Sequence, residues 1–332
     1  MNWYIKIPGI ELETWAPAHH WDRLFEMWWH AGITGIVVPV NLSDQLDGFQ
    51  DRVQTIVQMA HRFGLKSWLI IPVLNNPVFY FRYPEARPVH RLQEAFSFPK
   101  WFAPICPTCS SYHDFFAHSV TQLLQKIGVD VVLLDYLRVP YFWEEWGNLV
   151  KPEQWPLYCY CPRCQQQFQQ HTEAQLETTS PQLWQDWQCQ VLADWLNQIH
   201  QLLLELHPRL QLGVQILPLV SEKKRLLRSE WVGQNLQILQ KTTHFFSPLV
   251  YNQLLNWQID DALYFLIELL CAQRLPIVPS FQISTTPWDR QQATGKSLNS
   301  LIHRLEPMGL QDATLFHARD LLNEKAIHLL LD

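Results

Sequence analysis

The chain has 332 residues, with 25 Lys and Arg against 31 Asp and Glu, and a formal charge of −6. Nucleic-acid binding requires clustered positive charge, so this balance sets that class aside, and 17% charged residues with 16 Trp set disorder aside. No apolar run approaches the ~20 residues of a membrane span, and the early charges of MNWYIKIPGIELE argue against a signal peptide.

From the N-terminus, short β-branched or apolar runs alternate with amphipathic stretches. The predicted strands are Trp3–Ile7, Ile33–Val40, Lys66–Val73, Val129–Asp135, Leu210–Leu217, His244–Tyr251, Leu275–Phe281 and Leu310–His317. The predicted helices are His20–Ala31, Phe49–Phe63, Tyr112–Ile127, Leu183–Leu206, Gln234–Lys241, Asp260–Gln273, Gln291–Leu305 and Arg319–Leu331. ITGIVVPV and VDVVLLD are apolar at consecutive positions, as strands are when both faces of a parallel sheet are covered. Eight such pairs in strict order predict an α/β fold, a (β/α)8 TIM barrel spanning 1–332 as one domain. A doubly wound open sheet is the competing arrangement. It usually carries a G-x-G-x-x-G turn after its first strand, and IKIPGIELE has none.

A barrel of this kind needs about 250 residues. The surplus falls in the connections after the third and fourth strands, Leu74–Cys109 and Tyr136–Ser180, the latter reading as an insertion over 136–180. Both follow strand C-termini, the face where barrel enzymes hold their active sites. The same two connections contain five of the seven cysteines, as Cys106-Pro-Thr-Cys109 and Cys159-Tyr-Cys161-Pro-Arg-Cys164. Tight clusters and an odd total fit metal or redox chemistry in a reducing, cytoplasmic setting better than a disulfide framework. Four thiolates suit a closed, structural zinc site. The C-x-C-x2-C turn supplies three, and Cys106 or Cys109 supplies the fourth. Cys-Pro-Thr-Cys also fits a dithiol redox motif, which leaves three cysteines without a role. Cys189 and Cys271 lie in helical stretches and read as small core residues.

A Cys-Pro turn before the third helix, then C-x-C-x2-C after the fourth strand, resembles the zinc site of the β-galactosidases of glycoside hydrolase family 42. The resemblance implies Cys106, Cys159, Cys161 and Cys164 as ligands of a structural zinc, with Cys109 spare. A broader likeness covers most of the chain. VDVVLLDYLRVP (Val129–Pro140) and VGQNLQILQKTTHFFSPLVYN, ending at Asn252, resemble segments of uncharacterised glycoside-hydrolase-like barrels. That resemblance implies a glycosidase of the barrel type acting on a carbohydrate. The family 42 pattern would place an Asn-Glu acid/base pair after the fourth strand, where this chain reads Leu-Asp-Tyr, so that mechanism does not carry over.

Glycoside cleavage usually needs two carboxyl groups across the bond. Asp135 closes the run Val-Val-Leu-Leu, and alternation puts it on the same face as Val131 and Leu133. With that face lining the lumen, Asp135 stands at the rim as nucleophile or base, and Arg138 is the partner that keeps it ionised. In the plainer reading, Asp135 and Arg138 form a structural pair closing the strand. Glu144 and Glu145, in Tyr-Phe-Trp-Glu-Glu-Trp, are the candidate acids, because Trp143 and Trp146 would desolvate one and raise its pKa. A Glu pair in a loop is otherwise solvated surface. Glu222, Glu11 and Glu13 are lesser candidates.

Trp101, Trp143, Trp146, Trp155, Trp257 and Trp288 follow strands and offer flat faces to sugar C–H groups, while Trp28, Trp29, Trp184, Trp187 and Trp195 fall at helical spacing and read as core. The expected substrate-binding residues are Arg138, Tyr251, Asn252, Gln282 and Trp143. Asn41, Asn75, Gln215 and His317 are further polar groups at strand ends, and Asp260 with Asp261 caps the following helix. Two functions follow. One is a glycoside hydrolase working through rim carboxylates, with a structural zinc. The other is a barrel that binds carbohydrate or acts as a scaffold, having lost its acid.

Overall fold

The computed structural model describes residues 1–7, 18–42, 48–92, 98–143, 149–150, 158–175, 180–221, 229–251, 257, 259–282, 304 and 306–316. Eight strands among them close into a parallel barrel: β1 (Asn2–Lys6), β2 (Ile33–Pro39), β3 (Lys66–Pro72), β4 (Val131–Asp135), β5 (Gln211–Ile216), β6 (Phe245–Val250), β7 (Ser280–Gln282) and β8 (Asp312–Phe316). Each strand pairs with its neighbours in chain order, and β8 returns to β1 with Lys6 opposite Phe316. This is the predicted (β/α)8 architecture.

The helices among the described residues are α1 (Ala18–His30), α2 (Phe49–Arg62), α3 (Pro77–Arg82), α4 (Ser110–Lys126), α5 (Pro162–Thr172), α6 (Pro181–Leu206), α7 (Leu236–Leu239) and α8 (Ile259–Ala272). None is long and apolar enough to cross a membrane. Helices α3 and α5 lie in the two long connections, where the hydrophobic pattern predicted none. Each opens on a proline, whose missing N–H is no loss in a first turn, and the Asn76 side chain caps α3 by accepting from the Phe79 N–H. The seventh strand is shorter than the predicted Leu275–Phe281. Pro276 and Pro279 have no N–H to give a ladder, so Ile277 makes one isolated bridge to Phe246 and regular pairing begins at Ser280. The predicted helix Arg319–Leu331, and Gln291–Leu305 apart from Arg304, lie outside the described residues.

Alternation along the strands sorts side chains into two cores. Outward-facing Ile5, Ile36, Val38, Leu69, Ile71, Val132, Leu134 and Val214 join the core that holds the apolar faces of the helices. Inward-facing Tyr4, Val37, Trp68, Ile70, Val131, Leu133, Phe245 and Val278 fill the lumen. Trp68 packs between Tyr4 and Phe245, with ring centroids 4.2 and 5.4 Å away. Gly213 on β5 gives the Phe245 ring its space, since a Cβ there would lie 2.2 Å from it. The lumen floor is therefore solid, and in barrels of this kind ligands bind above it, at the C-terminal strand ends.

Two smaller expectations need correction. Trp28, Trp184, Trp187 and Trp195 are buried, but Trp29 is 53% exposed, because it lies on the solvent side of α1. Cys189 is buried in α6, whereas Cys271 near the end of α8 is exposed.

Candidate active site and cysteine centre

Val131 and Leu133 belong to the lumen core, so Asp135, two residues on in β4, projects from the same face at the barrel mouth. It is half-buried. The Tyr136 N–H donates to its Oδ1 at 2.7 Å. Gln215, from the lumen face of β5, is oriented with its amide nitrogen toward the carboxylate and donates to Oδ2 at 3.0 Å and Oδ1 at 3.2 Å, since the opposite orientation would set oxygen against oxygen.

The turn that brings the Tyr136 N–H back onto Asp135 has a cost. Tyr136 has φ 54, a left-handed conformation that a bulky residue adopts only when its surroundings impose it. They do. The Arg138 N–H bonds the Tyr136 carbonyl at 2.9 Å, and the Arg138 guanidinium lies 4.7 Å over the Tyr136 ring and 5.7 Å over that of Phe102. The same guanidinium donates to the Tyr141 carbonyl at 2.6 Å. Arg138 thus braces the turn, and no ion pair links it to Asp135 among the described residues.

The charge of Asp135 acts on Lys6, at the end of β1. Burial lowers the pKa of its ammonium below the ordinary lysine range, while the Asp135 carboxylate works to raise it. The Lys6 Nζ lies 4.6 Å from the centroid of the Phe316 ring, which stacks on Tyr251 at 5.2 Å. Trp143 lies 5.8 Å beyond Tyr251. Tyr251, Gln282 and Trp143 are all buried. Glu144, Glu145, Asn252, Glu222, Glu11, Glu13 and His317 lie outside the described residues, as do Trp146, Trp155 and Trp288. Asn75 is engaged in its own loop, accepting from the Ala103 N–H at 2.6 Å and donating to the Trp101 carbonyl at 3.1 Å. Asp260 opens α8 and pairs with Arg304.

Sequence reasoning passed over Lys6 and Gln234. Lys6 ends an apolar run on the face of Tyr4, the same signal that singled out Asp135. Gln234 is buried between the ends of β4 and β5. It donates to the carbonyls of Gln215 at 2.8 Å and Leu137 at 3.2 Å, and accepts from the Leu217 N–H at 3.0 Å. It thereby fixes the backbone on either side of the Gln215–Asp135 contact.

The second site joins the two long connections. The sulfurs of Cys106, Cys159, Cys161 and Cys164 lie within 4.8 Å of one another, all buried. Cys106 Sγ is 3.5 Å from both Cys161 Sγ and Cys164 Sγ. Ligands about 2.3 Å from a tetrahedral ion sit about 3.8 Å apart, so the cluster matches the size of such a site. Cys109 stands apart, its sulfur 3.4 Å from Ser111 Oγ. The Val89 N–H points at Cys159 Sγ from 3.4 Å, and Thr108 Oγ1 lies 3.2 Å from Cys106 Sγ and 3.3 Å from Cys164 Sγ. Hydrogen bonds from Cys106, Cys159 and Cys164 push the Cys161 thiol far down, while burial holds Cys159 up. Left to themselves, four crowded thiols ionise unequally, and a bound cation would allow all four to be thiolates.

No protein-family model matches the chain, and no curated protein matches it. Solved structures do. The glycoside hydrolase domain of PgaB (BpsB) from Bordetella bronchiseptica is similar over 100% of this chain and 98% of that one, with a TM-score of 0.75 at 10% identity. The catalytic domain of a beta-amylase from Paenibacillus polymyxa matches 98% of this chain and 94% of its own, with a TM-score of 0.65 at 12% identity. A beta-galactosidase from the Antarctic haloarchaeon Halorubrum lacusprofundi gives a TM-score of 0.68 at 12% identity, over 97% of this chain but 53% of that one. At such identities the likeness establishes the barrel fold.

Proposed function

We propose that the chain is a glycoside hydrolase that cleaves an O-glycosidic bond at the barrel mouth, with Asp135 as nucleophile or base. The observation that carries this reading is the held carboxylate: Asp135 stands above a solid lumen floor, fixed by the Tyr136 N–H and Gln215. A nucleophile or base needs its oxygens positioned before the substrate arrives, and two directed donors supply that. Structural neighbours from several kinds of glycoside hydrolase support the class. Glu144 or Glu145, which follow Trp143 in the sequence, supplies the proton to the leaving oxygen. The aromatic series Trp143, Tyr251 and Phe316 gives the sugar ring its apolar wall, with Gln282 and Asn252 binding hydroxyl groups.

The cysteine centre holds a structural zinc ion, bound by Cys106, Cys159, Cys161 and Cys164. Its size, burial and all-sulfur donors suit that metal, and a closed set of four leaves no position for substrate. Its work is to pin two connections that carry the rim, and a reducing cytoplasm keeps the thiols available for it.

The test is a panel of aryl glycosides assayed with the wild type and Asp135→Asn. The expected result is turnover of at least one glycoside by the wild type and a loss on the order of 10²–10⁴-fold in the variant, the range for an acid–base group. Full activity in Asp135→Asn would overturn the assignment. A second reading, saccharide binding without cleavage, is favoured by one observation: Asp135 is the sole carboxylate at the C-terminal ends of the described strands. Saccharide affinity measured by calorimetry, with no turnover of any glycoside by the wild type, would establish it.

A further inference from the structure

We propose that a cleft on the outer wall of the barrel, between the Pro107–Thr108 turn, α5 and α6, is a second binding site that takes a neutral oligosaccharide. The cleft encloses about 310 Å³, the lower end of the range for small-molecule sites. It is built from helix faces and a turn, with no contribution from the strand ends that carry Asp135, so it stands whether or not the mouth hydrolyses a glycoside.

Its lining decides the ligand class. Gln167 and Gln170 project from α5 and Gln198 from α6, and none of their amides is engaged elsewhere in the described chain. Trp195 forms part of the wall. It is buried, and its indole N–H has no partner.

The titratable residues of the lining are Asp194, His113 and His171, against four glutamines, a serine and a threonine. The Asp194 carboxylate takes the Gln190 amide at 2.7 Å. His113 stacks on Trp195 at 3.9 Å and bonds the Pro107 carbonyl at 2.9 Å, and burial holds its pKa below the usual imidazole value. Carboxamides set a donor and an acceptor side by side, which matches adjacent hydroxyls on a sugar ring and gives little to a phosphate. A peptide would want an open strand edge or a deep apolar pocket, and this cleft offers neither.

The cysteine centre joins two sides of the cleft. Cys106 immediately precedes the Pro107–Thr108 side, while Cys161 caps α5 and Cys164 lies in its first turn. The two walls are thus drawn together through one cluster of sulfurs.

The experiment follows the indole N–H signal of Trp195 by ¹H–¹⁵N NMR, identified by its loss in Trp195→Phe. Maltohexaose, cellohexaose, mannohexaose and chitohexaose are titrated into the full chain carrying Asp135→Asn, which removes the proposed catalytic carboxylate. At least one is expected to shift the signal saturably. Gln167→Ala with Gln198→Ala should then weaken binding about tenfold, the loss expected for removing roughly 1.4 kcal/mol of hydrogen bonding. Both glutamines are exposed, so these substitutions leave folding intact. The proposal fails if no hexasaccharide moves the signal, or if the double variant binds as tightly as its parent. It also fails if Trp143→Ala at the mouth abolishes the shift, or if extended peptides move the signal and saccharides do not.

Discussion

One amide nitrogen of Gln215 holds both oxygens of the Asp135 carboxylate, at 3.0 and 3.2 Å, from the neighbouring strand of the barrel. A hydrogen bond to a charged group contributes about 1.5–3 kcal/mol, and here it also fixes which way the carboxylate faces. Gln215→Met keeps the length of the side chain and removes the donor. If Asp135 acts as proposed, the expected outcome is a fall in kcat of about ten- to a hundredfold with KM little changed, because the carboxylate loses its positioning and the proposed sugar contacts do not. Unaltered kcat would show that Gln215 serves packing alone.

The cysteine centre makes a sharper distinction, between two residues three apart. Cys106 lies in the sulfur cluster and Cys109 does not. Metal analysis of the purified protein is expected to give one zinc per chain. Cys106→Ser should lower that content and the melting temperature together, while Cys109→Ser leaves both near wild type. Full zinc in Cys106→Ser would remove this residue from the ligand set.

Lys6 gives a pH dependence whose sign follows from its surroundings. Burial lowers its pKa in the folded chain below the ordinary 10.5. Between the lowered value and 10.5 the unfolded chain binds more protons than the folded one, so stability rises with pH across that window. Lys6→Met lacks the group. Urea unfolding of both proteins at neutral pH and near pH 10 should show the difference moving in favour of the wild type as pH rises. Movement in the opposite direction would mean that the ammonium is stabilised by its pairing with Asp135 more than burial penalises it.

The sequence carried the barrel because its signal is repeated eight times. Runs such as VDVVLLD are apolar on both faces, and only a covered parallel strand accommodates that. The register of the mouth was equally legible, since Val131, Leu133 and Asp135 differ by two residues and a strand alternates with that period. The cysteine spacing identified the cluster, though choosing Cys106 over Cys109 depended on likeness, because both neighbour the same proline turn. What periodicity could not give were contacts between strands. The Lys6–Asp135 relationship spans 129 positions of chain, and Gln234 acts on Gln215 by reaching backbone carbonyls, which no side-chain pattern records. The seventh strand is shorter than its hydrophobicity predicts because Pro276 and Pro279 fit a strand by hydrophobicity but not by hydrogen bonding.

Gly213 offers a test of how tightly the floor is packed. A methyl group there would stand 2.2 Å from the Phe245 ring, which itself supports Trp68. Overfilling a core usually costs about 1–3 kcal/mol, and Gly213→Ala should lower the melting temperature accordingly. Adding Phe245→Leu should recover part of the loss. A Gly213→Ala protein as stable as wild type would show that the ring moves aside freely.

Tyr4, Trp68 and Phe245 together plug the axis of the cylinder. On the proposed function, a molecule that reaches Asp135 would have to leave on the side of the plug from which it came. A long polymer cannot be threaded lengthwise through the axis, so any extended chain must lie across the brim or dip one end inside.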